Sequence, residues 1–347
     1  MNKEHVSPKK ILIVGAGIAG ITLAHQLKRK GAVCTLIDDQ KNASSMVAAG
    51  MVNPMSFRRT LFSWNADQYF DYAHDFYKGL ESALSVRFLN ELVIRRLFTT
   101  VEEASNWQSK CTQVPFRDFF LQQTEADKNY PPFGAGRLRG FWIEAKTFVL
   151  ENQRFFQEKD ALISSPFCDE LFSPETGTYH EKSYDAIVFC TGYKNKEQPY
   201  FRDVPVDTTK GQTLTVKWDK GTEEHSLHQK CFVLPIGEKH FRVGATYEWK
   251  NDSLDITESA RDNLLERFKN LTNDEAIVVD QAAGIRPTTP DRKPLMGQHK
   301  DYKKLYLFNG LGAKGYLIAP NVSLLMADLI LNETQLPKEL DLYRFSN

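Results

Sequence analysis

The chain has 347 residues, enough for a large core and about two domains. Lys plus Arg and Asp plus Glu balance at 44 each, so nothing global suggests a nucleic-acid or membrane-surface binder. Aromatic residues make up 12%, which is a globular and not a disordered composition.

In chain order, "KKILIVGAGIAGITLAHQLKRKGAVCTLID" opens with a buried strand at 11–14. Ile18, Ile21, Leu23, Ala24 and Leu27 follow at helical spacing, Gly31 stops the helix, and a second strand ends at Asp38. No apolar signal core precedes the first strand, and no apolar run approaches ~18 residues. We therefore expect no secretory signal, no membrane span and a cytoplasmic location. The five scattered cysteines contain no C-x-x-C pair and read as buried thiols in a reducing compartment.

Helical patterns are predicted at 64–84, 257–270 and 318–331. Strands are predicted at 92–98, 139–143, 160–164, 184–192 and 303–310, a hairpin at 167–180, and antiparallel strands over 211–247. "GAGRLRG" at 134–140 follows "YPPF" and reads as a proline-led loop, not as a second nucleotide motif. "HSLH" reads as surface histidines, His225 and His228, in a polar turn, and no metal site is expected. Parallel-type strands at both ends with antiparallel strands between predict an α/β chain. It would have a discontinuous Rossmann-like domain (1–80, 140–195 and 275–347) and an inserted antiparallel β-rich substrate domain (81–139 and 196–274).

Gly15, Gly17 and Gly20 make G-x-G-x-x-G between a strand and a helix. The three glycines allow a tight turn, backbone approach to a pyrophosphate, and close helix packing. Ile18 and Ala19 then open a helix whose N–H groups face the phosphates. Asp38, or its neighbour Asp39, is placed to accept from ribose hydroxyls. The motif indicates a dinucleotide without deciding between NAD and FAD.

Four ordered blocks, 11–38, 44–54, 184–192 and 284–320, together resemble the D-amino-acid oxidase superfamily of FAD-dependent oxidoreductases. That superfamily includes glycine oxidase, sarcosine oxidase and the oxidase domain of a bifunctional enzyme that modifies tRNA wobble uridine. The resemblance implies FAD. Ser44 and Ser45 of "SSMVAAGMVNP" would meet its phosphates, and Ala49, Gly50 and Met51 would run beside the flavin. Thr191 and Gly192 of "FCTG" would pass close to the cofactor. Phe167, to within one or two residues, would contact adenine through its backbone. In "LFNGLGAKGYLIAP", Gly310, Gly312, Ala313, Lys314, Gly315 and Tyr316 would approach the flavin N1–C2=O edge. Ala282 to Pro287 contain no Cys or His, so FAD is expected to be non-covalent.

Arg286 lies in "GIRP", between Gly284 and Pro287, which restrict its backbone. A guanidinium can hold a carboxylate through two parallel hydrogen bonds, and the resemblance gives Arg286 the substrate carboxylate. An ion pair with Asp291 is the structural alternative. On the same resemblance Arg242 would overlie the flavin, where relatives carry a lysine, and Thr246 and Tyr247 would line the pocket. The implied activity is oxidation of a C–N bond of a small amine or amino acid by hydride transfer to flavin N5. Three alternatives stay open: a tRNA-modifying oxidase with a basic strip at Arg58, Arg59, Arg95 and Arg96, a dehydrogenase using an acceptor other than oxygen, or a non-catalytic flavin binder.

Overall fold

The computed structural model describes residues 7–41, 43–57, 60–130 and 132–346. Arg58 and Arg59 therefore lie outside the described residues.

Two large sheets organise the molecule. The first has six strands in the order Leu295–Gln298, Leu305–Asn309, Ala186–Phe189, Lys10–Val14, Val33–Ile37, Leu162–Ile163. All neighbours are parallel except the outermost Leu295–Gln298. Ile11 to Val14 and Ala186 to Phe189 are buried on both faces, as expected of parallel strands covered on both sides. Helix Ile18–Arg29 lies against the C-terminal helix Gly315–Asn332, which also packs on helix Ala66–Leu84. By length and composition alone this C-terminal helix could cross a membrane. In the fold, Leu317, Ile318, Val322, Met326 and Ile330 are buried core residues.

The second sheet has ten strands. Its centre is Asp207–Lys217, paired antiparallel with His240–Gly244 on one side and with the twelve-residue strand Ile277–Thr288 on the other. Leu214 and Val216 share a core cluster with Leu264 and Phe268 of helix Glu258–Thr272. Alternation puts Thr209, Gly211 and Thr213 on the opposite face, and Gly211 and Thr213 line the main cavity. The sheet also includes Met51–Val52, so the segment after the glycine helix is stitched to it.

Two expectations change. Residues 134–140 are not a proline-led loop, because Ala135–Ile143 is a nine-residue strand paired with Leu89–Leu97. Its glycines make room for neighbours. A Cβ on Gly136 would come within 2.2 Å of the Trp107 ring, and one on Gly140 within 2.5 Å of Ile94. "HSLH" is a buried strand, not a surface turn, and pairs parallel with Leu89–Leu97. The expected hairpin at 167–180 forms as Phe172–Ser173 paired antiparallel with Thr178–Tyr179, and Lys182–Ser183 adds a third strand; helix Ala145–Gln157 was not anticipated.

Burial has a consequence for acid stability. The His25 ring is buried, its Nε2 lies 2.6 Å from Asn152 Oδ1, and desolvation pulls its pKa from 6.5 to about 4. The unfolded chain therefore binds more protons between pH 6.5 and about 4, and stability must fall as pH drops through that window. The expected loss from His25 is at most about 3 kcal/mol. Urea unfolding at successive pH values should show a slope that shrinks in His25→Gln. An unchanged slope would exclude His25 as its source.

Candidate active site

A cavity of about 610 Å³ runs between the two sheets. Each of the four sequence blocks contributes to its wall.

At one end the glycine turn is built by close approach. Gly15 has φ +106°, and a Cβ there would sit 2.5 Å from the Cys190 carbonyl oxygen. A Cβ on Gly20 would sit 1.9 Å from the Gly15 oxygen, so Gly20 packs behind the wall while Gly15, Gly17, Ile18 and Ala19 line it. The buried Asp38 carboxylate accepts from the N–H of Ala16 and of Gln40, both at 2.6 Å. Burial raises its pKa above the usual range, and these two bonds offset part of the rise. Asp39 also lines the cavity and is paired with Lys194 at 3.0 Å. Burial would raise Asp39, but the Lys194 hydrogen bond and charge outweigh it and hold its pKa low. Phe167 lies on the wall, stacked on Tyr179 at 4.8 Å.

The loop at 44–54 forms the next section. Ser45 Oγ accepts from the Ile18 N–H at 3.0 Å, and Ser44 Oγ donates to the Ile285 carbonyl at 2.5 Å. Ser44 therefore ties this loop to the strand that carries Arg286. Gly50 has φ +68°, and a Cβ there would meet the Ile143 oxygen at 1.8 Å, so the loop runs tight against the sheet with Ala49 and Met51 at the cavity. Thr191 and Gly192 face the same space. The buried Thr191 Oγ1 has no hydrogen-bond partner among the described residues.

Gly312, Ala313, Lys314, Gly315 and Tyr316 line the cavity, whereas Gly310 lies behind it with φ +77°. Lys314 Nζ donates to the carbonyls of Asn53 at 2.6 Å and Met55 at 3.5 Å, and no carboxylate pairs with it among the described residues. Burial lowers its pKa from 10.5 to about 8. Tyr316 donates to the Ser45 carbonyl at 2.9 Å, which locks the C-terminal block onto the 44–54 loop.

Arg286 lies on this wall, and among the described residues no carboxylate pairs with it. Only its Nη1 has partners among the described residues, the carbonyls of Lys210 and Thr246, both at a long 3.4 Å. The guanidinium lies over the Tyr247 ring, 4.3 Å from its centroid. Asp291 is not its partner, because Asp291 pairs with Arg344 at 2.8 Å.

Two sequence expectations fall elsewhere in space. Arg242 donates to the Ala48 carbonyl at 3.1 Å from behind the 44–54 loop and is not part of the cavity wall. Thr246 is also behind the wall, where its Oγ1 accepts from the Gln212 N–H at 2.9 Å. Of the predicted basic strip, Arg95 and Arg96 are both held in ion pairs rather than displayed on the surface. Arg95 pairs with the fully buried Asp127 at 3.0 Å, and buried Arg96 pairs with Glu103 at 2.6 Å.

Sequence reasoning missed Gly211, Thr213, His228 and Phe232, which line the cavity. Strand alternation was the available signal for Gly211 and Thr213. His228 is buried and its Nε2 has no partner among the described residues. Desolvation first, then the charges of Arg96 and Lys314, lower its pKa to about 3, so the ring is neutral. No cluster of metal-ligand side chains occurs among the described residues.

The constellation fits FAD. It offers a glycine turn and helix N-terminus for a diphosphate, two carboxylates beside it, and an orphaned buried hydroxyl at Thr191. Further on, backbone in close approach is set beside a lysine without a counter-ion.

Comparison with known proteins agrees. The chain is 24% identical over 355 residues to a glycine oxidase from Pseudomonas aeruginosa, covering 93% of this chain and 94% of that protein. It is 24% identical over 399 residues to the tRNA 5-methylaminomethyl-2-thiouridine biosynthesis bifunctional protein MnmC of Hydrogenovibrio crunogenus. That match covers 97% of this chain, which spans only 58% of the longer protein. The fold matches a crystal structure of glycine oxidase from Geobacillus kaustophilus with TM-score 0.78 at 20% identity, over 97% of this chain and 98% of that one. A family model described as FAD dependent oxidoreductase matches residues 10–329, and the chain belongs to that D-amino-acid oxidase family of FAD-dependent oxidoreductases.

Proposed function

We propose that this protein oxidises the C–N bond of a small amine that carries a carboxylate, with Arg286 as the carboxylate anchor. The observation that carries this reading is the Arg286 guanidinium, placed on the cavity wall with no acid paired to it among the described residues. FAD supplies the two-electron acceptor for such chemistry. The residues of the chain bind and orient. A planar guanidinium sets both the position and the rotation of a carboxylate, and the Tyr247 ring restrains the guanidinium. Among the described residues the cavity wall carries a neutral His228 but no free carboxylate placed beside Arg286, so the substrate amine would enter as the neutral base. FAD is held without a covalent bond, since residues 282–287 offer no Cys or His for attachment.

A second reading has its own support. Tyr247 and Trp249 are 55% and 61% exposed, with ring centroids 6.4 Å apart. Tyr247 belongs to the cavity wall, so this pair offers a stacking surface for a base at the entrance. A carboxylate-bearing modified nucleoside in RNA would use the same Arg286 anchor. Arg95 and Arg96, consumed in ion pairs, do not contribute to it.

Anaerobic mixing of the FAD-loaded protein with a panel of amines, amino acids and N-substituted glycines tests the first reading. Loss of visible flavin absorbance is expected with carboxylate-bearing members and not with their decarboxylated counterparts. Bleaching by simple amines alone would refute the anchor, and bleaching only by modified RNA would favour the second reading.

A further inference from the structure

Arg286 and Trp249 both pair in register with Thr209, one from each side of the central strand. Residues directly opposite in a ladder share a face, so Arg286 starts on the cavity face two residues from Gly211. Its side chain leans along the strand and covers Gly211. A Cβ built at Gly211 would lie 2.2 Å from Nη2, 2.4 Å from Nη1 and 2.5 Å from Cζ. Both Nη atoms are nearer than Cζ, so the guanidinium meets the glycine through its Nη1/Nη2 edge. Tyr247 meets the same group at 4.3 Å from ring centroid to Cζ.

We propose that Gly211 and Tyr247 form a slot that seats the Arg286 guanidinium and sets its direction, which makes both of them positioning residues for the anchor. This rests on the reading of Arg286 given above. Among the described residues Nη1 alone is hydrogen-bonded, at 3.4 Å, which leaves donors on Nε and Nη2 free for a carboxylate. Any side chain at 211 must displace this group, because the atoms it meets first belong to the mobile end of an arginine and not to backbone. Gly211 has no positive φ, so alanine fits the strand without backbone strain. The glycine is there for the arginine and not for a turn.

The test uses the FAD-loaded protein titrated with benzoate and with its neutral isostere benzamide, each followed by flavin absorbance. The unaltered protein should prefer benzoate. Gly211→Ala and Tyr247→Leu should each weaken benzoate about tenfold, as expected when one charge-assisted hydrogen bond of a pair is misaligned. Benzamide affinity should fall by less than benzoate affinity in each variant, while FAD content and melting temperature stay unchanged. In an Arg286→Lys background Gly211→Ala should have no further effect, because the two changes act through one group. Unchanged benzoate affinity in Gly211→Ala would overturn the slot while leaving the anchor in place. So would an equal loss for benzamide, or a loss that persists in the Arg286→Lys background. No preference for benzoate over benzamide in the unaltered protein, or no response to benzoate, would overturn the anchor and the slot together.

Discussion

Arg286→Ala should slow anaerobic reduction of the bound flavin by a carboxylate-bearing amine about 100-fold at subsaturating substrate, with FAD content unchanged. The size follows from removing a buried, two-pronged charged pair, which typically costs 2–5 kcal/mol, or roughly 30- to several-thousand-fold. The low end applies, because the Arg286 guanidinium is only partly removed from water. Arg286→Lys keeps the charge and loses the fork, so it should fall between the two. FAD should be retained because, among the described residues, the guanidinium bonds only the carbonyls of Lys210 and Thr246. The opposite pattern, normal reduction with lost FAD, would make Arg286 a cofactor residue. Wild-type rates in both variants would remove it from the site. Asp291→Ala is the matched control. It breaks the Arg344 pair and should leave reduction untouched.

Gly20→Ala should yield protein without FAD. The added Cβ would lie 1.9 Å from the Gly15 carbonyl oxygen, 3.0 Å from its carbon and 3.2 Å from the Ile13 side chain. The first two are backbone atoms of the nucleotide turn, so relief requires moving the turn away from the helix. Overpacking in a rigid interior costs about 1–3 kcal/mol, and here the displaced atoms are the cradle itself. Absorbance of the purified protein and its FAD content after heat release give the readout. Gly79→Ala provides the contrast. It sits in helix Ala66–Leu84, and its new Cβ would meet only the end of Arg29 at 3.5 Å. It should retain FAD and gain roughly 0.5–1 kcal/mol from helix propensity. Full FAD occupancy in Gly20→Ala would show that the turn adapts and that the close approach is not required.

Those parts of the protein whose physics is local were legible from the residues alone. The run at 11–14 is apolar without alternation, which only a strand covered on both faces tolerates, and Gly15, Gly17 and Gly20 can be read from spacing because each answers a contact within one strand–turn–helix unit. Most of the cavity wall lies in the four blocks that the sequence singles out, since close backbone approach demands small residues in a row. The proposed anchor was readable as an arginine stiffened by Gly284 and Pro287. Its lack of a partner was not. Whether Arg286 met Asp291 depended on Arg344, 58 residues away in sequence, folding back to take that carboxylate first.

Tertiary structure alone decided the rest. Arg242 and Gly211 both have the alternation of cavity-facing strand residues, but the 44–54 loop lies across the sheet and takes the Arg242 guanidinium at Ala48. Gly211 is covered by Arg286, which arrives from the neighbouring strand in a register no short stretch encodes. "HSLH" is polar by composition and buried by topology, because its partner is a parallel strand more than 100 residues earlier in the chain. "GAGRLRG" looks like a loop because glycines usually mark turns, yet here they leave room for Trp107 and Ile94. In each case the residue type answers a neighbour distant in sequence, and only the folded chain brings that neighbour near.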